Sequence, residues 1–212
     1  MKKALVALLV SGMMSSAFAG VVIEEGFDDV NGLQSKGWIL ENNSTPGGAT
    51  PGWFQGNTGF TSQSGDANSY AASNYNVAGE NGIINNWLYT PEFSTALGAT
   101  VSFWLNAVDE AGFSDSFSFG YTGADGVLVS LMPAFTVSTG GWKQYTANIA
   151  AAAGMTRFAF QHTGAQATSN YVGLDTLSIS APDAAEVPEP ASILILAAGA
   201  MGLVAARRRK RA

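Results

Sequence analysis

Residues 101–107 read Val101-Ser102-Phe103-Trp104-Leu105-Asn106-Ala107. Val101, Phe103, Leu105 and Ala107 alternate with Ser102, Trp104 and Asn106, a period of two. Successive side chains of a strand point to opposite faces, so the stretch reads as a half-buried β-strand. The same alternation recurs at Phe117, Phe119 and Tyr121, and again at Phe158, Phe160 and His162. Further strands are predicted at 21–27, 37–41, 53–55, 87–90, 127–132, 142–148 and 172–180. Residues 123–126, with Gly123, Asp125 and Gly126, suit a hairpin, and Gly140-Gly141 precedes the strand that opens on Trp142. Residues 42–52 and 56–69 are long polar loops, and 150–154 is expected to form one helical turn. Short strands separated by Gly-rich turns specify an all-β sandwich or barrel.

Outward from these strands the chain is poor in charge and has no cysteine. Disulfides, a thiolate nucleophile and Cys-ligated metals are thereby excluded. All 16 acidic residues lie between Glu24 and Glu189, where the basic residues are Lys36, Lys143 and Arg157, a net charge of −13 over that stretch. Nucleic acid is not a partner for such a surface, because its binding needs Lys and Arg to displace counterions.

The two ends differ from the body. Lys2 and Lys3 precede an apolar run from Ala4 to Val10, and Ala17-Phe18-Ala19 is a small-x-small site before Gly20. This order reads as a signal peptide over 1–19, cut by signal peptidase between Ala19 and Gly20. Residues 20–181 form the β-domain and 182–190 an extended linker ending in Pro188-Glu189-Pro190. Residues 191–206 read as a short transmembrane helix. Its uninterrupted apolar core from Ile193 to Ala206 would be about 21 Å long at 1.5 Å per residue. The basic tail 207–212, with Arg207 to Arg211 all cationic, favours a cytoplasmic end.

Pro188-Glu189-Pro190, the apolar segment and the terminal Arg cluster together resemble the PEP-CTERM sorting signal. The resemblance covers about 25 residues and implies an address. An exosortase-type membrane protease would remove the tail, in a Gram-negative bacterium that makes exopolysaccharide. An ordinary uncut C-terminal anchor is the alternative. The body carries a second resemblance, on Glu25-Gly-Phe27, Gly37-Trp38, Asn86-Trp-Leu-Tyr-Thr-Pro91, Val101 to Leu105, Gly141-Trp142, Thr156 to Phe160 and Tyr171 to Ile179. These motifs are similar to the choice-of-anchor J domain, related to cleaved-adhesin and MAM-type jelly rolls. The resemblance implies a jelly roll of two antiparallel sheets.

Catalytic groups are scarce. His162 is the sole histidine and, on an apolar face, reads as a hydrogen-bonded core residue; a Ser-His-Asp triad is the alternative. Asp109, Glu110 and Asp115 flank a Gly-containing turn and are expected to be solvated. Glu25 shares the parity of Ile23 and Phe27, and Asp175 that of Tyr171, Leu177 and Ile179. Both carboxylates are therefore expected on the apolar side, where a buried charge needs a partner. A structural calcium ion is one such partner, and backbone hydrogen bonds at a loop are the other. Trp53, Tyr70 and Trp104 are candidate carbohydrate contacts, because sugar rings stack on aromatic faces beside polar groups; packing in the core is their alternative role.

The expected function is that of an exported, non-enzymatic surface or matrix protein acting in adhesion within exopolysaccharide or biofilm. It would be anchored in the inner membrane before processing, then held at the cell surface or in the matrix. A carbohydrate-binding module with a defined sugar site is the alternative. A glycan hydrolase fits less well, because no Glu-x-Asp-x-x-Glu strand is present.

Overall fold

The computed structural model describes residues 19–57, 59–123 and 125–182, which fall in one compact unit, Ala19–Pro182. The predicted signal peptide, sorting motif, membrane helix and basic tail lie outside the described residues, apart from Ala19. Among the described residues no helix is long and apolar enough to cross a membrane.

In chain order the strands are β1 (Ala19–Glu25), β2 (Ile39–Asn42), β3 (Thr45–Gly47), β4 (Phe54–Gln55), β5 (Ala71–Asn74), β6 (Ala78–Tyr89), β7 (Phe93–Ser94), β8 (Ala99–Ala107), β9 (Ser116–Thr122), β10 (Leu128–Thr136), β11 (Lys143–Ile149), β12 (Met155–Thr156), β13 (Phe158–Ala165) and β14 (Tyr171–Pro182). They form a jelly-roll β-sandwich. Sheet I runs β11-β8-β14-β5-β4, with β1 also on β14, and sheet II runs β10-β9-β13-β6-β2, with β3 also on β6. Every pairing within the two sheets is antiparallel.

The alternation at 101–107 places Val101, Phe103 and Leu105 in the core between the sheets. Phe103 meets Phe160 and Phe119 of sheet II edge-on, at centroid distances of 4.9 and 5.1 Å. Such pairs contribute about 0.5–1.5 kcal/mol each beyond area burial. Ser102, Trp104 and Asn106 lie on the outer face of sheet I. That face is not bare: Tyr70, Ala72 and Tyr171 form a second apolar cluster there, with Phe54, Phe60, Val108 and Trp142 packed on it.

Four expectations change. Strand β5 falls just after the 56–69 loop, in a stretch where no strand is predicted, and its small Ala71, Ala72 and Ser73 are fully buried. Strand β6 is twelve residues long and begins well before Trp87. Gly79, Asn81 and Gly82 hide it in the sequence, and Asn81 sits at φ 57° within it. Residues 150–154 do not form a helical turn, because the amide of Ala152 goes to the carbonyl of Thr95 at 2.9 Å. Within β14 the register shifts between Asp175 and Ser178, and Thr176 takes φ 47°. This bulge inverts the alternation. Tyr171, Gly173 and Asp175 face outward, whereas Leu177 and Ile179 join the core.

Candidate functional site

The outer face of sheet I carries a cleft of about 440 Å³ between three segments: Gly59–Thr61, the end of β8 from Asn106 to Asp109, and the Gly140-Gly141-Trp142 turn. That volume lies within the range of about 300–1,000 Å³ common to small-molecule sites. Its aromatic wall is Trp142, half-buried, whose ring meets Phe60 at 5.2 Å and Tyr70 at 5.6 Å. The Trp142 indole Nε1 donates to the carbonyl of Thr61 at 2.8 Å, which locks the turn to the loop. Gly173 lies beneath this arrangement. A Cβ there would stand 2.6 Å from Phe60 and 2.9 Å from Trp142.

The cleft's polar side chains are those of Thr61, Asn106 and Asp109. Asn106 is 5% exposed, lines the cleft, and its Oδ1 has no hydrogen-bond partner among the described residues. Asp109 is exposed at the rim. No Lys or Arg lines the cleft, and the neighbouring Lys143 places its ammonium 5.5 Å over the Tyr145 ring.

Asp175 holds the loop that forms one wall. Its Oδ2 accepts from the amides of Gln63 (2.7 Å) and Ser64 (3.2 Å), and its Oδ1 from the amide of Thr176 (2.5 Å). Burial pushes the Asp175 carboxyl above the usual carboxylate range, against the opposing pull of these N–H groups. Glu25 accepts from the Phe27 amide at 2.9 Å and pairs with Lys36 at 3.2 Å. Positive ends of N–H and ammonium groups therefore point at both carboxylates. Backbone hydrogen bonds, the alternative to an ion expected for these carboxylates, are thus present at both. Among the described residues no three or more Asp, Glu or His groups gather where a metal could sit.

The three aromatic candidates separate. Trp53 is 5% exposed and packs edge-on against Phe117 at 6.2 Å in the core. Tyr70 is fully buried, with its hydroxyl 3.1 Å from that of Tyr171. Neither presents a face to a sugar. Trp104 is half-buried on the outer face, as its parity predicts. Burial and the Tyr70 contact push the Tyr171 phenol far up. Sequence reasoning missed Asn106, Asp109, Phe60 and Trp142 as a group. Asn106 was within reach, since it shares the face of Trp104.

His162 is buried with Asp115 and Ser73. Its Nδ1 lies 2.8 Å from Ser73 Oγ and its Nε2 3.1 Å from Asp115 Oδ1. In a catalytic triad the hydroxyl meets Nε2 and the carboxylate Nδ1. Here the nitrogens are exchanged, and the Ser73 hydroxyl also accepts from Asn86 Nδ2 at 2.8 Å with no exposure. Asp115, expected in solvent, is 1% exposed; it also takes the amides of Asn170 (3.0 Å) and Tyr171 (3.1 Å), which compensate its burial.

Comparison with known proteins agrees with this architecture. A PEP-CTERM protein-sorting motif matches residues 186–210. The K1 cleaved adhesin domain of Lys-gingipain from Porphyromonas gingivalis W83 is similar at 22% identity and a TM-score of 0.56, covering 75% of this chain and 97% of that domain. The K3 cleaved adhesin domain of the same protein is similar at 21% identity and a TM-score of 0.58, covering 76% of this chain and all of that domain. At this identity the likeness is one of fold. No curated protein matches the chain. The chain thus carries a PEP-CTERM sorting motif, which implies export, after a cleaved-adhesin-like jelly roll.

Proposed function

We propose that the protein is an exported, non-enzymatic surface or matrix component that acts in adhesion by associating with exopolysaccharide. The observation that carries this reading is the sorting motif at 186–210, directly following a compact sandwich. In this reading the body is of the choice-of-anchor J type. Signal peptidase cuts between Ala19 and Gly20, the apolar segment 191–206 holds the chain in the inner membrane, and an exosortase-type protease then acts near Pro188, Glu189 and Pro190. The body reaches the cell surface or biofilm matrix. The burial and reversed polarity of the Ser73–His162–Asp115 chain support a structural rather than hydrolytic role for its groups.

A second reading makes the sandwich a carbohydrate-binding module. The cleft beside Trp142, with Thr61, Asn106 and Asp109 in its lining, favours it. The first reading is tested by the intact mass of the protein recovered outside producing cells, with the envelopes beside it. A species running from Gly20 to Pro188–Pro190 and retained by the cells' exopolysaccharide is expected. A species still ending at Ala212 and confined to membranes overturns it.

A further inference from the structure

We infer that Asn43 is a site of N-linked glycosylation, its side-chain Nδ2 taking an oligosaccharide from a lipid diphosphate after export. The sequence holds two Asn-x-Ser/Thr acceptor triplets, and they overlap: Asn42-Asn43-Ser44 and Asn43-Ser44-Thr45. The structure separates them. Asn42 is half-buried at the end of β2; its Nδ2 donates to the carbonyl of Val77 at 2.9 Å and its Oδ1 accepts from the amide of Ser44 at 3.1 Å. The hydroxyl of its triplet, Ser44 Oγ, belongs to a buried residue and accepts from the amide of Asn85 at 2.9 Å. Both groups that a transferase must reach are closed off there.

In the second triplet both groups are open. Asn43 and Thr45 are exposed, on the link from β2 to β3. Asn43 is held by its main chain, whose amide donates to the carbonyl of Asn85 at 2.8 Å, and no hydrogen bond among the described residues engages its side chain. The Thr45 hydroxyl lies 3.5 Å from the Asn43 carbonyl, the long limit of a hydrogen bond, so it is freed at little cost. Bacterial transferases of this class also read an acidic residue two places before the asparagine, and Glu41 stands there, exposed. The export implied by the sorting motif takes the loop out of the cytoplasm, where acceptor triplets of exported proteins are used. In the transfer Nδ2 loses a proton and bonds to the anomeric carbon of the oligosaccharide. The bond from that carbon to the diphosphate oxygen breaks, and the lipid diphosphate leaves with the electron pair. Among the described strands β2 pairs only with β6, so its other side is an open edge. A hydrated glycan at its end shields that edge from pairing with another chain.

The test is the mass of the protein isolated from producing cells, intact and as peptides, with any sugar located by electron-transfer fragmentation. A species heavier than its chain by an oligosaccharide, attached at Asn43, is expected. Asn43→Gln should lose the whole increment and still fold, because the position is exposed and the side chain it replaces holds nothing. Thr45→Val should lose the increment too, although Asn43 is intact, and Thr45→Ser should keep it. The assignment is overturned if the sugar sits on Asn42, or if the increment survives Asn43→Gln or Thr45→Val. A body recovered outside the cytoplasm without any sugar overturns the assignment and leaves export standing. An unmodified chain confined to the cytoplasm overturns the assignment together with the export on which it depends.

Discussion

The Ser73 hydroxyl lies 2.8 Å from Nδ1 of His162 and joins the two sheets of the sandwich, Ser73 on β5 of sheet I and His162 on β13 of sheet II. Asn86 of β6 and Asp115, just before β9, complete the brace. Its groups are buried and, apart from Asn86 Oδ1, which has no hydrogen-bond partner among the described residues, they satisfy one another, so removing one strands the others. His162→Leu is expected to destabilise the protein by at least about 2 kcal/mol, the cost of leaving a buried hydroxyl and carboxylate short of partners. Urea unfolding measures it. A variant as stable as the parent would show that the brace contributes nothing.

Asp175 makes stability depend on pH. Its carboxyl is raised in the folded state, so the folded protein holds that proton more tightly than the unfolded chain. The contribution is complete below the unfolded carboxylate pKa and is lost as pH rises through the folded value. Asp175→Asn removes this dependence from the acid limb of the melting curve. It also sets an NH2 group against the amides of Gln63, Ser64 or Thr176, at a cost of about 1–3 kcal/mol. Melting temperatures of both proteins between acid and neutral pH check the slope and the offset together.

Gly173 has no room for a side chain. Gly173→Ala drives a methyl group into Phe60 and Trp142, so a loss of about 1–3 kcal/mol is expected from overpacking. The emission of Trp142 should shift red as its ring is lifted off the sheet. A variant with the parent's spectrum and stability contradicts the packing described.

Protein donors already face Glu25 and Asp175. Neither EDTA nor added calcium is therefore expected to move the melting temperature. A rise of several degrees with calcium, abolished by Glu25→Gln, would restore the ion proposed from the sequence.

The sandwich was legible because aromatic and aliphatic residues keep period two through β8, β9 and β13. The short central β5 was not, since Ala71-Ala72-Ser73 carries no amphipathic signal and is buried by neighbours far away in sequence. The role of Asp175 was misread for one local reason. Alternation carries across a strand only while its register is unbroken, and the bulge at Thr176 breaks it. The cleft was invisible for a different reason. Phe60, Asn106 and Trp142 converge through a folded-over loop, and no spacing along the chain encodes that convergence.

Strand β14 is flanked on one side by β8, over residues 172–180, and on the other by β5 at 171–174 and β1 at 177–182. The chain leaves the sandwich at Pro182, opposite Ala19. A pull applied through the tail along the axis of β14 enters it end-on. Hydrogen bonds to β8, β1 and β5 then share the load in shear, where a hairpin at an edge would unzip one bond at a time. Tyr171, which packs beneath the cleft, stands at the far end of that same strand. Pro182, where the chain leaves the sandwich, and Tyr171 are thus the two ends of one mechanically shielded strand.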